Sequence, residues 1–167
     1  MNILVVSDSH GSKEELADLS RMYAGKMDVM IHCGDSELRA DDEVLDHFKV
    51  VRGNCDMDQR FPETHLEEGD GRRLLVTHGH LYGIKMSLMK LKYKAEELGA
   101  DMVFFGHSHE LGAELMDGIL FLNPGSILLP RGRHEKTYAL IETTKHKIHV
   151  KFLTEKHELV EEIEFDM

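Results

Sequence analysis

The stretch Asn2-Ile3-Leu4-Val5-Val6-Ser7-Asp8-Ser9-His10-Gly11 decides the fold. Five apolar or near-apolar residues read as a strand buried on both faces, and they stop abruptly at a polar Asp-x-His-Gly segment. A polar-apolar stretch from Lys13 to about Ala24 follows, with Leu16, Leu19, Met22 and Tyr23 at helical spacing and Ser12 as its N-cap. Val29-Met30-Ile31-His32-Cys33 is a second buried strand, ending at Gly34-Asp35. A short helix around Asp42–His47 leads to a third strand, Phe48-Lys49-Val50-Val51, which stops at Gly53-Asn54-Cys55-Asp56. Strand, helix, strand, helix, strand is the signature of the α/β class.

The pattern continues downstream. Residues 57–71 are loop-like with a short strand near Thr64–Leu66, and Arg73–Thr77 is a strand ending at His78-Gly79-His80. Ser87–Leu98 is the clearest helix, with Leu88, Leu91, Lys92 and Ala95 on one face and Gly99 as its stop. Met102–Phe105 ends at Gly106-His107-Ser108-His109. The chain then becomes β-rich: Ala113–Met116 and Ile119–Leu122 flank the hairpin signal Asp117-Gly118, and Asn123-Pro124-Gly125-Ser126 reads as a turn. Tyr138–Thr143, Ile148–Leu153 and Leu159–Phe165 form a meander whose acidic last member reads as a solvated edge strand.

Composition narrows the function. A length of 167 residues predicts a single domain, 1–167, and 41% hydrophobic with 31% charged residues is a globular balance. No apolar run approaches the roughly 20 residues that span a bilayer. The first residues lack a signal peptide's basic region and cleavage site, so a cytoplasmic protein is expected. Two cysteines, Cys33 and Cys55, suit a reducing compartment. A net charge of −11 argues against a generic membrane or nucleic-acid binder, although bound cations can make one cleft locally positive. Homo-oligomerisation is left open by the sequence.

Five strands each finish in a short segment rich in Asp, Asn, His and Gly: Asp8-x-His10, Gly34-Asp35, Gly53-Asn54-x-Asp56, His78-Gly79-His80 and Gly106-His107-Ser108-His109. Ligands of open α/β sheets bind at the carboxyl ends of strands, so these side chains would pool in one cleft. Mixed oxygen and nitrogen donors suit Mn²⁺, Fe²⁺, Ni²⁺ or Zn²⁺. On an extended strand end, residues two apart point to one side, which would bring Asp8 with His10 and His78 with His80 to the same cleft. Any one segment alone is a common chance pattern. Five in order, each where a buried strand ends, is a metal-site pattern.

This ordered set resembles the calcineurin-like metallophosphoesterase superfamily, whose pattern is D-x-H, G-D, G-N-H-[DE], G-H and G-H-x-H. Asn123-Pro124-Gly125-Ser126 is similar to the small bacterial and archaeal phosphodiesterase branch. The resemblance covers residues 3 to about 143. It implies an αββα fold, two mixed β-sheets packed as a sandwich with flanking helices, and two divalent metal ions. Mn²⁺ leads the candidates, with Ni²⁺, Fe²⁺, Zn²⁺ and Mg²⁺ behind it. By the resemblance, Asp8, His10, Asp35 and His109 would hold the first ion. Asp35 would bridge, and Asn54, His78 and His107 would complete the second. A metal-bridging hydroxide would then attack phosphorus in line, making the protein a metal-dependent phosphodiesterase acting on a small phosphate ester.

One departure matters. Cys55 stands where much of the superfamily has the histidine thought to protonate the leaving oxygen, and a thiol is a poor substitute for imidazole. Leaving groups of low pKa, as in aryl or activated diesters, are therefore favoured, and a phosphodiesterase on activated or cyclic esters stands ahead of a general phosphatase. Cys55 reads more readily as a packing residue than as a catalytic one. Asp56 reads as a neighbour that orients Asn54 or nearby backbone, and His80 as a substrate contact, a positioning partner or a surface residue. His32 and Cys33 read as core. Arg131 and Arg133 are weaker candidates for binding phosphate. Two alternatives stay open: a phosphomonoesterase or nuclease using the same ions, and a non-catalytic scaffold on the same fold, as in the small subunit of the retromer coat.

Overall fold

A computed structural model describes residues 1–167. Its strands are β1 (Asn2–Val6), β2 (Val29–His32), β3 (Phe48–Val50), β4 (Thr64–Gly69), β5 (Arg72–Thr77), β6 (Met102–Phe104), β7 (Leu111–Met116), β8 (Ile119–Pro124), β9 (Thr137–Thr143), β10 (Lys147–Thr154) and β11 (Leu159–Asp166). Two α-helices, α1 (Glu14–Tyr23) and α2 (Met89–Leu98), join them. One sheet has the order β11-β10-β9-β1-β2-β3 and the other β4-β5-β6-β8-β7. Both are mixed. β1, β2 and β3 run parallel in the first sheet, and β5, β6 and β8 in the second. Outer strands pair antiparallel.

Alternation along the strands sorts side chains into three apolar layers. Ile3, Val5 and Ile31 of one sheet meet Leu74, Val76 and Phe104 of the other between the sheets. Leu4 and Val6 point the opposite way and pack with Leu16 and Leu19 of α1. Leu75, Val103 and Phe121 pack with Leu91 and Ala95 of α2. The sandwich with flanking helices is thus the arrangement that the family resemblance implies. No helix is long and apolar enough to cross a membrane.

Several boundaries move. Ser12 does not cap α1: Lys13 occupies the N-cap without a side-chain bond, and the Ser12 hydroxyl instead bonds Glu15. Met22 lies at the exposed margin of that helix while Leu16 and Leu19 are fully buried, because one helix on one sheet buries only a narrow stripe. The short helix is a single 3₁₀ turn, Glu43–Leu45, capped by Asp42. The strand near residue 64 extends to Gly69 because it pairs along β5. Asn123 and Pro124 belong to β8 and pair with Gly112 and Leu111, so the turn begins only at Gly125, whose φ is 78°. β11 is an edge strand with Glu162 and Glu164 exposed on its outer face, the solvated acidic edge read from the sequence.

Candidate metal centre

The parallel strands of both sheets point their carboxyl ends to one rim. There the chain leaves regular structure in an unusual way. Asp8, His10, Asp35, His107 and His109 all have positive φ, from 43° to 68°. Five of the molecule's nine non-glycine residues in that region are thus candidate ligands. Each left-handed residue costs about 1 kcal/mol or more, and such strain collects where the surrounding structure enforces a functional geometry. The expected alternation of Asp8 and His10 along an extended strand end is therefore incorrect. They converge through left-handed turns beyond β1. His80 likewise begins a 3₁₀ turn, His80–Tyr82, after Gly79 at φ 103°.

Backbone bonds between loops hold these turns. The Asp8 N–H donates to Gly34 O at 3.0 Å, His10 N–H to Asp35 O at 3.0 Å, and Gly106 N–H to His78 O at 3.0 Å. Close approach excludes side chains at two glycines. A Cβ on Gly53 would lie 2.0 Å from Asp35 Oδ1, and one on Gly106 would lie 2.0 Å from Ser7 Oγ. The Asp56 carboxylate gathers the second and third loops. It accepts from the backbone N–H of Asp35 (2.8 Å), Gly53 (2.7 Å) and Glu37 (2.7 Å), and from Ser36 Oγ (3.3 Å). It orients backbone and makes no bond to Asn54.

The side chains meet at the centre. His109 Nε2 is 3.1 Å and His10 Nε2 3.7 Å from Asp8 Oδ1, and the two imidazole nitrogens are 3.2 Å apart. His78 Nε2 is 3.2 Å from Asp35 Oδ2 and 3.1 Å from Asn54 Oδ1. Donor atoms of Asp8, His10 and His109 lie within 4.8 Å of one another, as do those of Asp8, Asp35 and His78. Cys55 Sγ forms a third such group with His10 and Asp35. His107 belongs to none of these groups; its ring centroid is 5.1 Å from that of His78, and its backbone N–H donates to Asp8 Oδ2 at 3.1 Å. Two histidines are aimed from behind. His78 Nδ1 bonds Cys33 O at 2.8 Å and His109 Nδ1 bonds Leu129 O at 2.7 Å, which leaves each Nε2 facing inward as ligating imidazoles do.

Charge is concentrated here. Burial opposes ionisation of Asp8, but His10 and His109, then His78 and Ser7, hold its carboxyl well below the usual carboxylate range. Asp35 is lowered too, with His78 outweighing burial. The His10 imidazole is raised by Asp8, and His78 is raised because Asp35 and Asp8 outweigh its burial. His107 is pushed down to about 4 by burial, His78 and Lys85. Cys55 is raised to about 11 by burial and then Asp35, so its thiol stays protonated near neutral pH. His32 and Cys33 are buried; the His32 ring bonds Ser9 Oγ at 2.9 Å and is pushed down to about 4 by desolvation. His80 stacks near His78 and His107, is lowered by burial, and keeps a buried Nδ1 without a partner. Arg133 lies at the surface with Glu161 at 3.2 Å, while Arg131 lines a cavity beside the centre.

The residue set fits divalent cations. Asp8 Oδ1 is buried and has no hydrogen-bond partner, for His109 approaches it at 3.1 Å outside hydrogen-bond geometry. An unpaired buried carboxylate oxygen is costly, and a cation facing it removes that cost. Sequence reading missed the bracing by the 123–126 segment. Asn123 Nδ2 bonds Gly106 O and Ser108 Oγ, both at 2.9 Å, and Ser126 Oγ bonds Asp8 O at 2.7 Å. The polar residues in an otherwise apolar β8 were the available signal.

Fold and site together define a metallophosphoesterase-type protein. The profile of the calcineurin-like phosphoesterase superfamily domain matches residues 1–146, and the chain belongs to that family. It is 44% identical over 164 residues to the probable metallophosphoesterase YsnB of Bacillus subtilis, covering 98% of this chain and 97% of that protein. It is 34% identical over 108 residues to the phosphodiesterase YfcE of Escherichia coli, covering 60% of this chain and 55% of that one. The crystal structure of a conserved uncharacterized protein from Streptococcus pneumoniae, a predicted phosphoesterase, superposes with a TM-score of 0.97 at 40% identity, covering 99% and 97% of the two chains. Vps29 of Entamoeba histolytica complexed with zinc shares the fold, with a TM-score of 0.77 at 22% identity and 99% coverage of both chains.

Proposed function

We propose that this chain is a cytoplasmic, metal-dependent phosphodiesterase holding two divalent cations, manganese foremost. One observation carries the reading: donor atoms of His10, His109, Asp35 and His78, from four loops, gather with a buried Asp8 oxygen that no hydrogen bond satisfies. Asp8, His10, Asp35 and His109 would hold one cation, and Asp35, Asn54, His78 and His107 the other. Bound cations would supply an activated water and offset the charge that builds on the phosphoryl oxygens.

The chain's own residues add orientation. The backbone carbonyls of Cys33 and Leu129 fix the two imidazoles, and the Ser7 hydroxyl donates to Asp8 Oδ2 at 2.6 Å, holding the carboxylate turned toward the centre. Cys55 N–H donates to Asp35 Oδ1 at 2.8 Å, which leaves Oδ2 facing His78. A thiol raised to about 11 is a weak proton donor to a departing alkoxide. Esters whose leaving group needs no proton are favoured accordingly, and diesters with phenolate leaving oxygens head the substrate class.

The test is hydrolysis of bis(p-nitrophenyl) phosphate with added Mn²⁺, Ni²⁺ or Mg²⁺ by wild type and Asp35→Asn. Metal-dependent release of p-nitrophenolate by wild type, lost in the folded variant, is the expected result. Equal rates with and without metal would overturn it.

A further inference from the structure

A cavity of about 580 Å³ lies beside the metal centre, on the α2 face of the second sheet. Its floor is Phe121, Asn123 and Gly112, and Ile84 and Leu88 form the wall in front of α2. The size suits a small organic group. Three features tie it to the centre. Ser108 lies between His107 and His109 and lines the cavity. Asn123 bonds both Ser108 Oγ and Gly106 O. Arg131 N–H donates to His109 O at 3.0 Å, so the cavity mouth and a candidate ligand share a backbone bond.

The lining is chemically specific. Gly112 is paired to Asn123 across the ladder, and a Cβ there would meet nothing within 4 Å. Its neighbours Leu111 and Ala113 pack between the sheets, so position 112 faces the cavity and its missing side chain is what opens the floor. Ser108 Oγ accepts from Asn123 Nδ2 and from Glu110 N–H at 3.2 Å, leaving its own hydroxyl hydrogen to be donated. Lys85 and Arg131 have no carboxylate within salt-bridge distance, and neither do Glu110 and Glu114 of the same lining a basic partner. Two cations and two anions cancel. An uncharged group fits such a balance better than a second phosphate or an ammonium.

We propose that this cavity receives an uncharged aromatic ring borne by the phosphoryl group held at the metal centre, and so selects aryl or nucleoside phosphate esters over alkyl ones. The inference rests on the phosphoesterase reading for its biological sense, but its test uses binding rather than turnover. Phenylphosphonate and methylphosphonate, whose P–C bonds resist hydrolysis, are titrated calorimetrically into Mn²⁺-loaded wild type, Gly112→Leu and Leu88→Ala. Wild type binds phenylphosphonate at least about tenfold more tightly than methylphosphonate, the scale of burying one ring. Gly112→Leu, which fills the floor without backbone strain, brings the ratio near one, and Leu88→Ala lowers it. Titration with thymidine 5′-methylphosphonate separates the sources: a larger gain than phenyl assigns the cavity to nucleoside esters, a smaller one to aryl esters. A wild-type ratio near one, a ratio unchanged in Gly112→Leu, or no binding of phenylphosphonate overturns the proposal. Binding as described without any diester hydrolysis would instead sink the enzymatic reading alone.

Discussion

The metal-side rim and the β9–β11 meander are built on opposite principles. In the meander, β10 alternates buried residues with exposed or half-buried ones through Lys147–Thr154, its buried members Ile148, Val150 and Phe152 filling the space between the sheets. Its charges lie at the surface, as in the Lys147–Glu164 pair across β10 and β11. At the rim the pattern inverts. Asp8, Asp35, His78 and His109 are buried, their loops are left-handed, and like groups crowd together. The contrast teaches where the fold is regular for stability and where it accepts strain to position donors.

Four perturbations sharpen or break that contrast. The largest effect is expected of Asp8→Asn, which removes the carboxylate that three imidazoles face. Metal-dependent turnover should fall at least about 100-fold, beyond what orienting groups contribute. Calorimetric titration with Mn²⁺ should show weakened binding, and unchanged affinity would remove Asp8 from the centre.

Asp56→Ala comes next. It leaves three N–H groups and a hydroxyl without their acceptor while touching no candidate ligand atom, except through backbone. Mn²⁺ affinity should drop about 10- to 100-fold, and stability by about 3 kcal/mol in urea unfolding. A stable variant with normal affinity would mean that the loops hold themselves.

The third concerns pH. His32 is fully buried with a pKa pushed down from 6.5 to about 4, so the folded state binds its proton less readily than the unfolded chain. Its contribution is complete above the unfolded value and is lost as pH falls from about 6.5 to about 4, by about 3 kcal/mol. His32→Asn should flatten the pH dependence of unfolding in that window, and an identical slope would place the loss elsewhere. The smallest effect belongs to the meander: Lys147→Ala should leave metal-dependent turnover unchanged and thermal unfolding without a measurable shift, because exposed pairs contribute little. A large change there would break the division between the two regions.

The legibility of the two regions differs in the same way. Strand positions followed from apolar runs, since burial on both faces admits little else at β1, β2 and β6. The meander followed from alternation. At the rim the residue types were legible, because Asp, His, Asn and Gly interrupt buried strands only there. Their convergence was expected for an incorrect reason, as the pleat was credited with what left-handed turns do. The bracing by Asn123 and Ser126 was not legible because their partners, Gly106, Ser108 and Asp8, are 15 to 118 residues away in sequence.

Local chemistry written along the chain determined the strand order in time, the donor inventory and the absence of a histidine at Cys55. Tertiary structure alone decided which oxygen of Asp8 is unpaired, that Asp56 gathers three backbone N–H groups, and that Gly112 opens a cavity beside the centre. Propensity and pattern are properties of neighbours in sequence. Pairing, desolvation and empty space arise only when segments far apart in the chain are packed together.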